Sequence, residues 1–179
     1  MAWGRLARFV LLAAFLSGCG AEPNPRADCA PGEMLEVGDP LPECRLPTLN
    51  GSGEVAMADL RGTPLVLNFW ASWCEACLKE MPALDAYDKT HEEVRVVGVD
   101  VLGVQGETLE AGRRYYGARG VDYLSLADDG GQLYGRFAFA ARPVMPLTVV
   151  VDADGIVRAL KFGPVDEAGL AALVEDALP

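Results

Sequence analysis

The chain has 179 residues, 15 of them Lys or Arg against 26 Asp or Glu, with a formal charge of −11 and 51 % apolar residues. A surface of that sign lacks the basic patch that neutralises phosphate backbones, which speaks against a nucleic-acid partner and is accounted for by solubility and self-repulsion. The length suits one globular domain with a terminal extension.

Met1 to Arg8 carries Arg5 and Arg8 without an acid, and Phe9 to Leu16 is an unbroken apolar run closed by Leu16-Ser17-Gly18-Cys19. Eight apolar residues are far short of the roughly 20 that span a bilayer, and the pattern reads as a secretory signal over residues 1–18. The Leu-Ser-Gly-Cys run resembles the lipobox of bacterial lipoproteins. That resemblance implies that Cys19 becomes the acylated N-terminus and lies on an extracytoplasmic membrane surface, the periplasmic face in a Gram-negative envelope. At about 0.8 kcal/mol per buried methylene, several acyl chains make a stable anchor. The alternative is an ordinary signal cut nearby, which leaves Cys19 as a free thiol in an oxidising compartment. Gly20 after the Cys, by the same resemblance, permits transfer to an outer membrane. Loss of residues 1–18 leaves 13 Lys and Arg against 26 Asp and Glu.

Pro23, Pro25, Pro31 and Gly32 mark residues 19–36 as a flexible tether, and the globular part is expected over residues 37–179. Leu41–Leu49 and Gly53–Leu60 read as strands of a hairpin about Asn50-Gly51. Leu65–Trp70 is a nearly continuous apolar strand of the kind buried on both faces of a central sheet. A helix follows from Cys74 to Lys89, with Pro82 predicting a kink, and Val94–Val101 is a second buried strand joined by a right-handed crossover. Leu109–Tyr116 is a helix in spite of Gly112, and Gln132–Phe139 a shorter one. Leu147–Val151 and Ile156–Phe162 are strands about the turn Asp152-Ala153-Asp154-Gly155, which lacks the further oxygen ligands of a calcium loop. Glu167–Leu178 closes the chain as an amphipathic helix. The result is an α/β sandwich: a central mixed sheet, helices on both faces and an N-terminal β-hairpin.

Trp73-Cys74-Glu75-Ala76-Cys77 stands where the first central strand hands over to its helix. Unpaired amides and the helix dipole favour an anion in the first turn, so a thiol at Cys74 is partly thiolate near neutral pH and is the attacking sulfur. Cys77, three residues on, lies on the same side of the helix and is placed to resolve the mixed disulfide. A zinc site needs about four ligands, and neither a second Cys pair nor a Cys-x-x-His is present; no metal or other cofactor is expected. His91 sits in a polar stretch between helix and strand and reads as solvent-exposed.

The run Val66-Leu67-Asn68-Phe69-Trp70-Ala71-Ser72-Trp73-Cys74-Glu75-Ala76-Cys77-Leu78-Lys79-Glu80-Met81-Pro82 resembles the thioredoxin superfamily, and within it the membrane-anchored oxidoreductases of the TlpA-like and ResA-like type. The likeness covers about residues 37–178. Met145-Pro146-Leu147-Thr148 is similar to the family's cis-proline loop. The resemblance implies a cis Pro146 facing the cysteines, a Met145 backbone that pairs with an extended substrate, Trp73 shielding the disulfide, and Glu80 near Cys77 as its proton acceptor. Asn68 stands where thioredoxin carries an Asp, Met145 is larger than usual, and Arg142 reads as a loop charge. Trp70 is a core residue.

The expected activity is dithiol exchange that reduces protein disulfides. Glu75 and Glu80 put negative charge near the pair, which opposes thiolate formation and favours that direction. By resemblance the electron donor is a membrane thiol–disulfide carrier, and the substrates include apocytochrome c or a copper-site protein. The rival is a copper(I) metallochaperone using the same cysteines, since soft thiolates suit that ion; a peroxidase is a weaker third reading. With Cys19 acylated and Cys74 paired to Cys77, Cys29 and Cys44 remain and are expected to form a structural disulfide that ties the tether to the first strand, the alternative being a second redox pair.

Overall fold

The computed structural model describes Met1, Cys29 and residues 32–51, 53–138 and 142–178; Cys19 and the apolar run before it lie outside them. The hairpin pairs β1 (Arg45–Pro47) with β2 (Glu54–Ala56), and β3 (Leu65–Trp70) leads into α1 (Glu75–Thr90). Then come β4 (Arg95–Val101), α2 (Leu109–Arg119), β5 (Leu124–Asp128), β6 (Leu147–Val151), β7 (Val157–Phe162) and α3 (Glu167–Ala177). Strands β5-β4-β3-β6-β7 form one sheet in that order, parallel from β5 to β3 and antiparallel across β3-β6-β7.

Side chains of β3 alternate between two cores, as the period of two requires. Leu65, Leu67 and Phe69 face the cluster built with Leu46, Met57, Tyr134 and Phe137, while Val66 and Trp70 face the cluster built with Met81, Leu84 and Leu170. All six residues of β3 are buried because both faces are covered. The three long helices contribute to the second cluster. The first face is covered by the hairpin and by single 3-10 turns at Met57–Leu60 and Tyr134–Arg136. The hairpin is shorter than the turn chemistry suggested, since Met57–Leu60 leaves the strand for that 3-10 turn, and of the helix expected over Gln132–Phe139 the described residues, 132–138, form the 3-10 turn Tyr134–Arg136. Strand β5, which the sequence reading passed over, is held by its pairing to β4.

The tether expected through residue 36 is corrected at its end. Cys29 and Leu35 are buried, Cys29 is disulfide-bonded to Cys44, and Leu35 N donates to Arg136 O at 2.6 Å while Arg136 Nε donates to Glu33 O. Further on, Gly38 and Leu41 bond to Val157 and Gly155, and Leu49 bonds to Ser125, so this segment runs from one edge of the sheet to the other. His91 is half-buried at the end of α1, its ring stacked on Tyr87 with centroids 3.9 Å apart, and not in open solvent. Among the described residues no helix is long and apolar enough to cross a membrane.

Candidate active site

Cys74 is the N-cap of α1. Its φ of −85° and ψ of 95° take the chain out of β3 and into the helix, and its Sγ accepts the Cys77 amide at 3.2 Å. A side-chain acceptor at that position meets one of the four amides that a helix leaves unpaired, and the dipole favours negative charge on it. Cys74 and Cys77 are joined as a disulfide with Cα atoms 5.3 Å apart. Cys74 is 6 % exposed and Cys77 fully buried, so Cys74 is the sulfur that a partner can reach. The lead-in is latched from the loop after β4: Ser72 donates from N (2.8 Å) and Oγ (2.7 Å) to Glu107 Oε2, and Trp73 Nε1 donates to Val104 O at 3.1 Å. That bond leaves Trp73 39 % exposed at the rim. Glu107 was not legible in the sequence, where it looks like an ordinary acid ahead of the α2 N-cap, Thr108.

The Met145–Pro146 peptide is cis. The register that pairs Leu147 with Phe69 puts Pro146 at the Trp70 end of β3, the end from which the chain runs to Cys74. Met145 is half-buried against both core clusters, including the one that contains Cys74 and Cys77. Gly163 N donates to Pro146 O at 2.9 Å, which ties this loop to the chain entering α3. Arg142 is exposed.

Glu80 is buried one turn beyond Cys77. Its Oε2 accepts Val165 N at 2.9 Å and its Oε1 accepts Asn68 Nδ2 at 2.7 Å. Burial raises its pKa from 4.5 to about 7, while those two donors hold it back. A carboxyl poised there passes a proton in either direction at neutral pH. Glu75 differs from expectation in its effect. It is exposed and paired with Lys79 at 2.7 Å, and that lysine holds its carboxyl below the usual range, so its charge is offset locally, and Glu80 is the buried acid of the same helix, one turn beyond Cys77.

His91 lies at the C-cap of α1, the far end of a 16-residue helix from Cys74. At 1.5 Å per residue that is about 24 Å away, which removes it as a companion ligand for the two sulfurs.

Two further acids are buried at the same end of the sheet, Asp100 on the helix-covered face and Asp128 on the other. Asp128 accepts amides of Leu133 and Tyr134, and burial raises its pKa to about 6. Asp100, beside Trp70 in the sheet, has neither oxygen hydrogen-bonded among the described residues; burial first, then the charges of Glu107 and Asp128, raise its pKa to about 8.

Residues 37–160 match the AhpC/TSA family. The thiol:disulfide interchange protein DsbE of Pseudomonas fluorescens biotype C is 30 % identical over 183 residues, covering 97 % of this chain and 95 % of its own. The thiol-disulfide oxidoreductase ResA of Bacillus thuringiensis is 28 % identical, covering 84 % of each chain. Among solved structures, the exposed lipoprotein thioredoxin Etrx1 of Streptococcus pneumoniae superposes with a TM-score of 0.61 at 25 % identity, over 74 % of this chain and 97 % of that one.

Proposed function

The chain belongs to the AhpC/TSA family of thioredoxin-like proteins, and from that premise we propose that it is a lipid-anchored, extracytoplasmic reductase of protein disulfides working through Cys74 and Cys77. At the coarser level it is a protein thiol–disulfide oxidoreductase of the DsbE and ResA type. The observation that carries the reading is the pairing of a reachable sulfur at a helix N-cap with a fully buried one, a turn from a buried carboxyl.

In the reduced protein the Cys74 thiolate attacks one sulfur of a substrate disulfide. The S–S bond breaks, the other substrate sulfur leaves as a thiolate and takes a proton, and Cys74 is left in a mixed disulfide. Glu80 takes the Cys77 proton, Cys77 attacks Cys74 Sγ, and the second substrate sulfur leaves. Two electrons have passed from the dithiol to the substrate, and the Cys74–Cys77 disulfide remains. Trp73 at the rim and Met145-Pro146 form the surface against which an extended substrate segment lies.

Direction follows from electrostatics. A helix N-terminus stabilises a thiolate and so makes a disulfide more oxidising, whereas a buried carboxylate a turn away opposes the anion and makes the dithiol a better reductant. Glu80 is the group that supports the reductase direction. A membrane thiol–disulfide carrier re-reduces the pair, and apocytochrome c or a copper-site protein fits as substrate. Leu16-Ser17-Gly18-Cys19 supports the anchor on Cys19, with residues 1–18 removed as the signal, and Etrx1, named an exposed lipoprotein, is a neighbour of the same fold. Cys29 and Cys44 act as a structural bridge, being buried beneath the hairpin.

The test is trapping in cells. Cys77→Ser accumulates mixed disulfides through Cys74, and Cys74→Ser does not. Equal trapping by both variants overturns the division of labour, and no trapped protein with either overturns the activity.

A further inference from the structure

Asn68 occupies the middle of β3 on the helix-facing side, between Gly98 and Thr148 in the sheet, and is fully buried. A buried amide in a strand of apolar residues costs stability unless its donors and acceptor are met. Here only one end is met. Nδ2 donates to Glu80 Oε1 at 2.7 Å and approaches Thr148 Oγ1 at 3.3 Å, while Oδ1 has no hydrogen-bond partner among the described residues.

That asymmetry suits one state of Glu80 only. With the carboxylate ionised, Nδ2–H points at a negative oxygen, which is the strong arrangement. When Glu80 takes a proton, Oε2 is already engaged by Val165 N–H, so the proton is added at Oε1, where Nδ2–H already points. Two donors then face each other. The two ends of a carboxamide are nearly the same size, so a half-turn about the last side-chain bond replaces the donor by the acceptor without repacking. The unmatched Oδ1 is the group such a turn brings to the proton, and Thr148 Oγ1–H can donate to the same oxygen.

We propose that Asn68 is the positioning residue of the Glu80 carboxyl: it presents Nδ2–H to the carboxylate and Oδ1 to the acid, turning over each time Glu80 gains or loses the Cys77 proton. The inference rests on the reading of Glu80 as the proton acceptor for Cys77, and it assigns a task to a residue that otherwise only fills the place of an acid. With the carboxyl titrating near neutrality, both orientations are populated in the working range.

The other groups round the carboxyl do not duplicate this task. On α1, Cys77 precedes it by one turn, and Glu75 and Lys79 pair with each other at the surface. From the start of α3, Asp166 lines the same cavity of about 510 Å³ but caps Gly169 N. From the segment before β5, burial pushes the Tyr123 phenol well up, with smaller contributions from Tyr116 and then Glu80, so it stays neutral. Among the described residues Asn68 is the side chain that donates to the carboxyl directly.

The experiment follows both partners in the oxidised protein by NMR from pH 5 to 9, the Glu80 Cδ resonance and the Asn68 side-chain amide. The amide is expected to titrate with the same midpoint as the carboxyl, and to become flat in Glu80→Gln. Asn68→Leu, which removes the donor at similar volume, should raise the Glu80 midpoint by about one unit, tenfold in proton affinity. A merely structural role for Asn68 changes the thermal midpoint and leaves the titration where it was. A Glu80 carboxyl that titrates while the wild-type amide stays flat overturns the proposal without need of any variant. Because this readout uses oxidised protein and no substrate, it is independent of trapping. A coupled titration together with failed trapping sinks the reductase reading and leaves the Asn68–Glu80 unit standing.

Discussion

Asp100→Asn should stabilise the protein by an amount that grows with pH. The carboxyl is fully buried with neither oxygen hydrogen-bonded among the described residues, and burial raises its pKa from 3.8 to about 8. Such a group binds its proton more tightly folded than unfolded, so stability is intact below the unfolded value and is lost as pH rises toward the folded one. At 1.36 kcal/mol per unit, the loss is about 4 kcal/mol at pH 7 and levels off near about 6 kcal/mol above pH 8. The neutral acid and the amide carry similar unmet hydrogen-bonding capacity, so that cost cancels in the comparison. Urea unfolding of the oxidised protein at pH 5, 7 and 9 is the assay. With a slope of about 2 kcal/mol per molar, the midpoint of the variant should exceed wild type by about 2 M at pH 7 and by much less at pH 5. A gain that does not vary with pH, or a loss at pH 9, refutes the reasoning that Asp100 is held neutral by burial.

Four further outcomes are expected. Gly112→Ala should destabilise by about 1–2 kcal/mol even though alanine is the better helix former, because its Cβ would overlap the Asp100 carboxyl; adding Asp100→Ala should restore stability in the same urea assay. Removing the Cys29–Cys44 bridge, which closes a 15-residue separation, should cost about 3 kcal/mol and leave disulfide-reduction rates unchanged. Glu80→Gln should slow the resolving step by about a hundredfold and abolish the rise in its rate as pH passes about 7, where the wild-type carboxyl ionises. Thiol alkylation against pH should show the Cys74 profile moved to lower pH, and superimposable profiles with equal rates would remove Glu80 from the chemistry. Cys19→Ser should leave the protein unprocessed or release it from the detergent phase, whereas an unmodified Cys19 in the mass spectrum of mature wild type would sink the anchor.

Much of the molecule is readable from local sequence because the signals are themselves local. Leu65–Trp70 and Leu147–Val151 appear with the bounds their apolar runs announce, since a strand covered on both faces must be apolar throughout. Strand β5 escapes that logic: Leu-Ser-Leu-Ala-Asp is an unremarkable stretch that becomes a strand by pairing with Val97–Val101. The same holds for Tyr134–Arg136, where a helical pattern too short to propagate stops after one 3-10 turn.

The cysteine pair and its place at the start of a helix are properties of four consecutive residues and the strand before them, so the amino-acid sequence alone determines them. The surroundings that tune that chemistry come from elsewhere in the chain. Burial lifts Glu80 to near neutrality, and Val165, 85 residues after it, and Asn68, 12 residues before it, hold it back, while Glu107 holds Ser72 from 35 residues away. Desolvation, which moves Glu80, Asp100 and Asp128 furthest, has no local signature: an acid in a helix or at the end of a strand reads as solvent-facing until the opposite layer is laid over it. Burial is a property of the packed layers, and so the sequence specifies the cysteine pair while the tertiary structure decides the electrostatic surroundings in which it sits.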